Sequence, residues 1–292
     1  MEWFLIALAA PILFAVTNFI EKILVDKYTK ERSVGVLIIF SGLIGFLVAL
    51  IIFLFNFNNL FLPLRQMIFL IISGFFYVFS LLPYFFSLEE EDVSLIVPLF
   101  QLIPVFSLIL GMIFLKEFLT IKQILGGLII VIGSIVISLN IPLNKFSLKK
   151  RLLFLMLISC FGLSVYSLLF KIGSFGFNYW VATFWFYIGI GFSGLLSLIY
   201  RPYRKQFIGL LKSDFKSIFG FNMLNEFLGF LGVLSLNLAF VLAPIALVWA
   251  VNSLQPIFVF LIGLFLTIFF PKLIKENISR KYLIHKIIAI LI

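Results

Sequence analysis

Apolar residues run along this chain in blocks of about 20 with short polar breaks between them, the length needed to cross a hydrocarbon core ~30 Å thick. The blocks run from Trp3 to Leu24, Val34 to Phe55, Met67 to Leu88, Val93 to Leu115, Ile121 to Leu139, Leu152 to Phe170, Trp180 to Tyr200, Ile218 to Leu242 and Ile245 to Phe270. A tenth begins near Ile284 and stops at Ile292. Backbone amides in lipid must be bonded within their own segment or in a closed barrel, and the period-two alternation of barrel strands is missing here. The pattern predicts an all-α polytopic membrane protein of ten transmembrane helices. The tenth is truncated, because eight residues of helix rise only ~12 Å.

Two proline-bearing runs, LFQLIPVF from Leu99 and VNSLQPIF from Val251, show that the pattern repeats. With Pro104 laid on Pro256, Leu95 meets Leu247, Leu102 meets Leu254 and Gly111 meets Gly263, an offset of 152. An offset of 149 pairs Val16 with Val165, Lys22 with Lys171, Gly42 with Gly191 and Gly45 with Gly194. Each half holds five spans, and two similar units with an odd number of crossings joined in tandem must lie in opposite orientations, an inverted repeat. The expected division is a first repeat over 1–140, a basic linker over 141–151 and a second repeat over 152–292. HKIIAILI at the end resembles KQILGGLI from Lys122, whose helix continues about ten residues further, so a truncated reading frame or fragment is expected.

Composition sharpens this reading. The chain is 63% hydrophobic and 12% charged with mean hydropathy +1.25, far from the roughly 45–50% apolar content of soluble domains. The net charge of +10 could suggest nucleic acid, but the cations flank the spans. Of the 22 Lys and Arg, the ten-span scheme puts 18 on one side and 4 (Arg65, Lys116, Lys122 and Lys171) on the other. Basic loops stay cytoplasmic, so the amino terminus is expected outside, in a multi-pass protein of the cytoplasmic membrane. The first span lacks the amino-terminal cation of a secretory signal and reads as a retained helix. Glu89 to Asp92 read as a solvated turn. The single cysteine, Cys160, excludes a multi-cysteine metal site and reads as a small apolar filler.

Polar side chains deep in a span face the bundle interior or a cavity, so their spacing locates one. Ser73, Tyr77, Ser80, Tyr84 and Ser87 share one helical face, as do Pro98 and Gln101, and Trp249, Asn252, Ser253 and Pro256. The eighth span offers Asn222, Glu226, Gly229 and Asn237. Ser73 and Ser87 read as packing contacts, since small residues let helices approach closely. The cavity candidates are Asn18, Tyr77, Ser80, Tyr84, Gln101, Tyr166, Trp249, Asn252 and Ser253, with Pro98, Pro104 and Pro256 shaping the helices. Glu226, the only carboxylate well inside a span, reads as a proton-coupling or cation-binding group. Glu21 and Lys22 read as a local ion pair at the interface.

The opening MEWFLIALAAPILFAVTNFIEKILVDK, the run SLIVPLFQLIPVFSLILGMIFLKEFLTIKQILGGLIIVIGSIVIS and its counterpart ALVWAVNSLQPIFVFLIGLFL resemble EamA-type members of the drug/metabolite transporter superfamily. The L-x-E-x-L-T-x-x-Q-x-x-G pattern stands at Leu115, Glu117, Leu119, Thr120, Gln123 and Gly126. The resemblance implies two inverted five-helix repeats, a central cavity and alternating access. Many bacterial members are drawn with both termini in the cytoplasm, and the charge count departs from that. The expected function is a secondary transporter, in the export direction, of a small polar or amphipathic metabolite. A flippase for a lipid carrier or sugar conjugate, and a non-transporting receptor or assembly factor, are the alternatives. The expected partners are a small-molecule substrate and the lipid bilayer, with a homodimer open to it, and no nucleic acid, cofactor or metal. An enzyme is not expected, because His285 is the sole histidine.

Overall fold

The computed structural model describes residues 2–28, 34–55, 60–91, 93–138, 150–213 and 215–269. Every regular element among them is helical: α1 (Glu2–Tyr28), α2 (Val34–Phe55), α3 (Leu64–Glu90), α4 (Val93–Ile96), α5 (Leu102–Leu110), α6 (Ile121–Ser138), α7 (Lys150–Ser174), α8 (Tyr179–Ile199), α9 (Arg201–Ser213), α10 (Phe215–Leu242), α11 (Ile245–Asn252) and α12 (Gln255–Phe269). Seven segments among the described residues are long and apolar enough to cross a membrane, α11 and α12 counting together as one. Leu99–Leu115 and Ile121–Ile132 are shorter apolar helices. The chain is thus a polytopic α-helical protein, and the described residues contain fewer full-length spans than the ten expected. The expected tenth span, and the linker apart from Lys150 and Arg151, lie outside the described residues.

The fourth and ninth spans, expected as continuous helices, are broken at equivalent places. The fourth runs from α4 through a 3-10 turn, Val97–Gln101, which contains Pro98, then α5 and a π turn, Gly111–Leu115. The ninth breaks at Ser253 and Leu254 between α11 and α12. Pro104 is the third residue of α5 and Pro256 the second of α12. Proline has no N–H to give the preceding turn and its ring crowds the carbonyl four residues back, so a new helix begins there instead. Ser253 N–H divides itself between the carbonyls of Trp249 and Ala250, at 3.0 and 3.1 Å.

Helix α9 was expected to be basic loop. Its cations at 201, 204 and 205 follow helical spacing, which leaves Tyr203 and Phe207 on another face. Tyr203 packs against Gly35, and Phe207 meets Phe40 edge to face with centroids 5.4 Å apart. The aromatic face of α9 is thus held on α2, with the cations on the other side.

The packing of helices follows a two-fold pattern. α3 lies along α7 as α10 lies along α1, α5 packs on α7 as α12 packs on α1, and α2 crosses α8. A Cβ at Gly42 would strike Gly194, and one at Gly45 would strike Gly191. In the 149-residue offset Gly191 is the equivalent of Gly42 and Gly194 of Gly45, so each glycine meets the equivalent of the other. Such reciprocity is what a two-fold axis between similar surfaces produces. Lipid tails are as apolar as leucine, so helices in a membrane associate through close packing of this kind more than through the hydrophobic effect.

The two-fold pattern fails between α3–α8 and its equivalent pair, and this failure creates the site. α3 packs tightly on α8, whereas the equivalent pair, α10 and α2, touch only sparsely. A Cβ at Gly74 would strike the Phe186 carbonyl and Gly189, and one at Gly189 the Ile71 carbonyl. At the position equivalent to Gly74, α10 carries Glu226. Helix α8 itself starts on Asn178, whose side chain accepts from Trp180 N–H at 2.8 Å. Asn178→Ala is expected to lower stability by about 1 kcal/mol through the lost N-cap, measured as a drop in the thermal transition of the purified protein.

Candidate functional site

The gap between α2 and α10 is the mouth of a cavity between the two halves. The cavity reaches from the middle of the bundle toward the end where α1 and α3 finish and α2 and α10 begin. That end, the basic end, carries Lys22, Arg151 and the α9 cations Arg201, Arg204 and Lys205. The cavity holds about 120 Å³, roughly ten times what one water requires.

A chain of side-chain hydrogen bonds runs along the wall. Gln255 Nε2 donates to Asn18 Oδ1 at 2.5 Å, Asn18 Nδ2 to Tyr84 Oη at 2.7 Å, and Tyr84 Oη to Glu21 Oε2 at 2.7 Å. Asn252 Nδ2 approaches Gln255 Oε1 at 3.4 Å, and Asn225 Nδ2 approaches Glu21 Oε1 at 3.5 Å. Glu226 accepts from Ser41 Oγ at 2.5 Å. The helix break places Asn252 and Gln255 on this wall together, since α11 ends on one and α12 begins with the other. The floor is aromatic: Tyr77 meets Tyr166 with centroids 5.3 Å apart, and Tyr166 Oη donates to Asn237 at 2.6 Å.

Of the residues expected in a cavity, Asn18, Tyr77, Tyr84, Tyr166, Trp249, Asn252 and Glu226 line it. Ser80, Gln101 and Ser253 stand elsewhere. Ser80 donates to the Phe76 carbonyl and packs against Gly162 where α3 crosses α7. Gln101 Nε2 reaches the carbonyl of Ser253 at 3.4 Å, and Ser253 Oγ turns back to the Trp249 carbonyl at 3.1 Å. Gln101 and Ser253 stand 152 apart, so equivalent positions touch each other at the two-fold axis. The expected Glu21–Lys22 pair gives way to two separate roles. Glu21 turns into the cavity, while Lys22 donates to the carbonyls of Leu88 and Glu91 at 3.0 and 3.4 Å. Lys171 makes the equivalent bond to the Ala243 carbonyl at 2.6 Å. Glu89 and Glu90, expected in a solvated turn, instead end α3, and Glu90 pairs with Arg151 at 2.7 Å, an exposed contact worth little. Cys160 is buried, with Sγ 3.3 Å from the Leu99 carbonyl.

Asn225 and Gln255 were not singled out from the sequence, although their helical spacing to Asn222 and Asn252, three residues in each case, was a usable signal.

The opposite end of the cavity is shut. Phe170, Phe186, Phe240 and Tyr166 are among the largest fully buried side chains, with Phe170 and Phe186 edge to face at 5.5 Å. Phe170 occupies the position equivalent to Glu21 by the 149 offset. Beyond this plug, Glu117 pairs with Lys171 at 2.5 Å and accepts from Ile245 N–H, the first residue of α11, at 3.0 Å. The Leu115-to-Gly126 motif thereby acquires two structural duties. Lys116, in the left-handed region at φ 56°, turns the chain so that Glu117 reaches the second half. Thr120 and Gln123 then start α6 by bonding each other's N–H groups, at 2.9 Å for Thr120 N–H to Gln123 Oε1 and 3.4 Å for Gln123 N–H to Thr120 Oγ1, a capping box.

Comparison with known proteins agrees with this architecture. A solved crystal structure superposes with a TM-score of 0.65 at 15% identity, covering 97% of this chain and 93% of that one, which shows a shared fold. An uncharacterized protein of Methanocaldococcus jannaschii is 28% identical over 136 residues, 47% of this chain and 96% of the relative. The match thus takes in nearly the whole relative and about one half of this chain. The model of the EamA-like transporter family matches residues 1–139. Over residues 1–139, therefore, this multi-pass membrane protein matches the EamA-like transporter family, the family its sequence resembles.

Proposed function

We propose that this protein is a secondary transporter that moves a small polar or amphipathic metabolite by alternating access, in the export direction. Two inverted repeats, 1–140 and 152–292, would rock about the axis marked by Gln101 and Ser253, joined by the linker 141–151. One observation carries the reading: equivalent helix pairs are splayed at the basic end, around a polar cavity, and packed shut at the other. Exchanging those two arrangements between the halves would carry the cavity from one face of the membrane to the other. Glu226, inside a span and at the splayed contact, is the group proposed to couple a proton or cation to that exchange. The basic end faces the cytoplasm in this reading and the amino terminus lies outside.

Single cysteines test it in a Cys160→Ser background reconstituted in vesicles. Gly229→Cys, in the cavity wall where an added Cβ meets nothing within 4 Å, is expected to react with an impermeant thiol reagent from the basic side. Ala246→Cys, behind the plug, should react from the opposite side, more slowly. Prior labelling of one with a bulky reagent should protect the other. If Ala246→Cys stays unreactive from both sides while Gly229→Cys reacts, alternating access is wrong.

A further inference from the structure

We propose that the cavity selects a small organic cation, an alkyl- or arylammonium, held between Glu21 and Glu226 against aromatic walls; this rests on the transporter reading of the same cavity. Two carboxylates enter it, Glu21 from α1 and Glu226 from α10, and among the described residues none of the lining side chains is Lys, Arg or His. Their hydrogen-bond donors are neutral: Tyr84 and Asn225 for Glu21, Ser41 for Glu226. Asn225 bonds Glu21 and is the chain neighbour of Glu226, which keeps both acids at one site. An uncompensated carboxylate away from water is unfavourable, and a bound cation relieves it.

The amides around the acids point to the same ligand independently. Asn222 lies one turn before Glu226, is 1% exposed, and neither its Oδ1 nor its Nδ2 has a partner. Asn225 Oδ1 and Asn252 Oδ1 are also buried without partners. All three line the cavity. The unfilled positions are thus mostly acceptors, and an ammonium group brings three donors and no acceptor. A carboxylate or phosphate ligand would bring only acceptors and negative charge to two acids, a mismatch that excludes it. Tyr77, Tyr84, Phe100 and Trp249 supply ring faces, which attract a cation through their quadrupoles. The equivalent positions in the other repeat are Phe170 for Glu21 and Gly74 for Glu226, so the acid pair belongs to the open half of the cavity alone.

Three probes of matched size, phenethylammonium, phenethyl alcohol and phenylacetate, separate charge from shape. Binding to the purified full chain is measured by calorimetry and by the shift of its thermal transition. Phenethylammonium is expected to bind at least about tenfold more tightly than the alcohol, and phenylacetate not to bind. Glu21→Gln and Glu226→Gln should each weaken the ammonium about tenfold, while leaving the alcohol's affinity unchanged, which shows that the cavity is still formed. The proposal is overturned if the alcohol or phenylacetate binds as tightly as the ammonium, if no ammonium binding is detected at millimolar concentration, or if both variants bind it like the parent. With any of these results, two-sided cysteine labelling as described above would leave the transporter reading standing with a different substrate class.

Discussion

Replacing Gly189 by valine is expected to cost more than about 3 kcal/mol and to remove most of the folded protein from a detergent extract. The added Cβ would fall on the backbone of Ile71, its carbonyl included, and Gly74 on the facing helix is equally hemmed in by the backbone of Phe186, Gly189 and Ile190. Overpacked side chains usually cost about 1–3 kcal/mol because neighbours rotate aside. Backbone cannot, so α3 and α8 would have to separate. Gly229 in α10 gives the contrast, since a Cβ there meets nothing within 4 Å. Gly229→Ala should leave the fold intact or stabilise it by up to about 1 kcal/mol, the propensity difference between the two residues in a helix. Recovery of a monodisperse peak and its thermal transition measure both. Gly189→Val with an unchanged transition would show that the α3–α8 contact is not what closes this end of the bundle.

Cutting the ion pair behind the plug should have the second large effect. The side chains of Glu117 and Lys171 are 13% and 16% exposed, so neither charge is well hydrated once its partner is lost. Breaking a fully buried pair costs roughly 3–5 kcal/mol, and the residual exposure here brings the expectation to about 2–3 kcal/mol for Lys171→Met. Glu117→Gln should cost less, because a glutamine oxygen can still accept from Ile245 N–H. The double variant should be less destabilised than the two single effects added together, since the second change removes the charge that the first left unpaired. The pair links one half of the bundle to the other only at the shut end. Position 269, equivalent to Glu117 by the 152 offset, is phenylalanine. In the proposed alternation this contact belongs to only one of the two states, so the double variant should also react faster at Ala246→Cys, its loss shifting the population toward the other state. An unchanged labelling rate would mean that the aromatic plug alone keeps that end shut.

Much of the cavity wall was legible from polar residues recurring at three and four positions inside apolar spans. Tyr77, Tyr84, Trp249, Asn252 and Glu226 could be named this way because a polar group turned to lipid is costly, Asn18 by its depth in the first span and Tyr166 by its place opposite Thr17 in the 149 offset. Ser80, Gln101 and Ser253 share those same helical faces and do not reach the cavity. A face about 100° wide still has a centre and two edges, and which edge meets a neighbouring helix depends on the crossing. Glu21 was hidden for a different reason. It stands beside Lys22, and adjacent opposite charges read as a pair, yet successive residues on a helix point about 100° apart. One turned to the cavity and the other to the carbonyls of the α3–α4 turn.

The sequence by itself determined the membrane class, the helical state, the positions of most spans and the near-equivalence of the two halves. All of these follow from segment length, backbone satisfaction in lipid and residue identity at fixed offsets, which are local or one-dimensional properties. The tertiary structure alone decided where the equivalence fails. Gly74 and Glu226 occupy matched positions, but only the packing of α3 on α8, against the gap between α10 and α2, reveals that one end is shut and the other holds a polar cavity. Apolar side chains suit both lipid and protein, so hydrophobicity could not say which faces meet. Backbone contact at a few glycines, and two carboxylates that had to be kept from lipid, settled it.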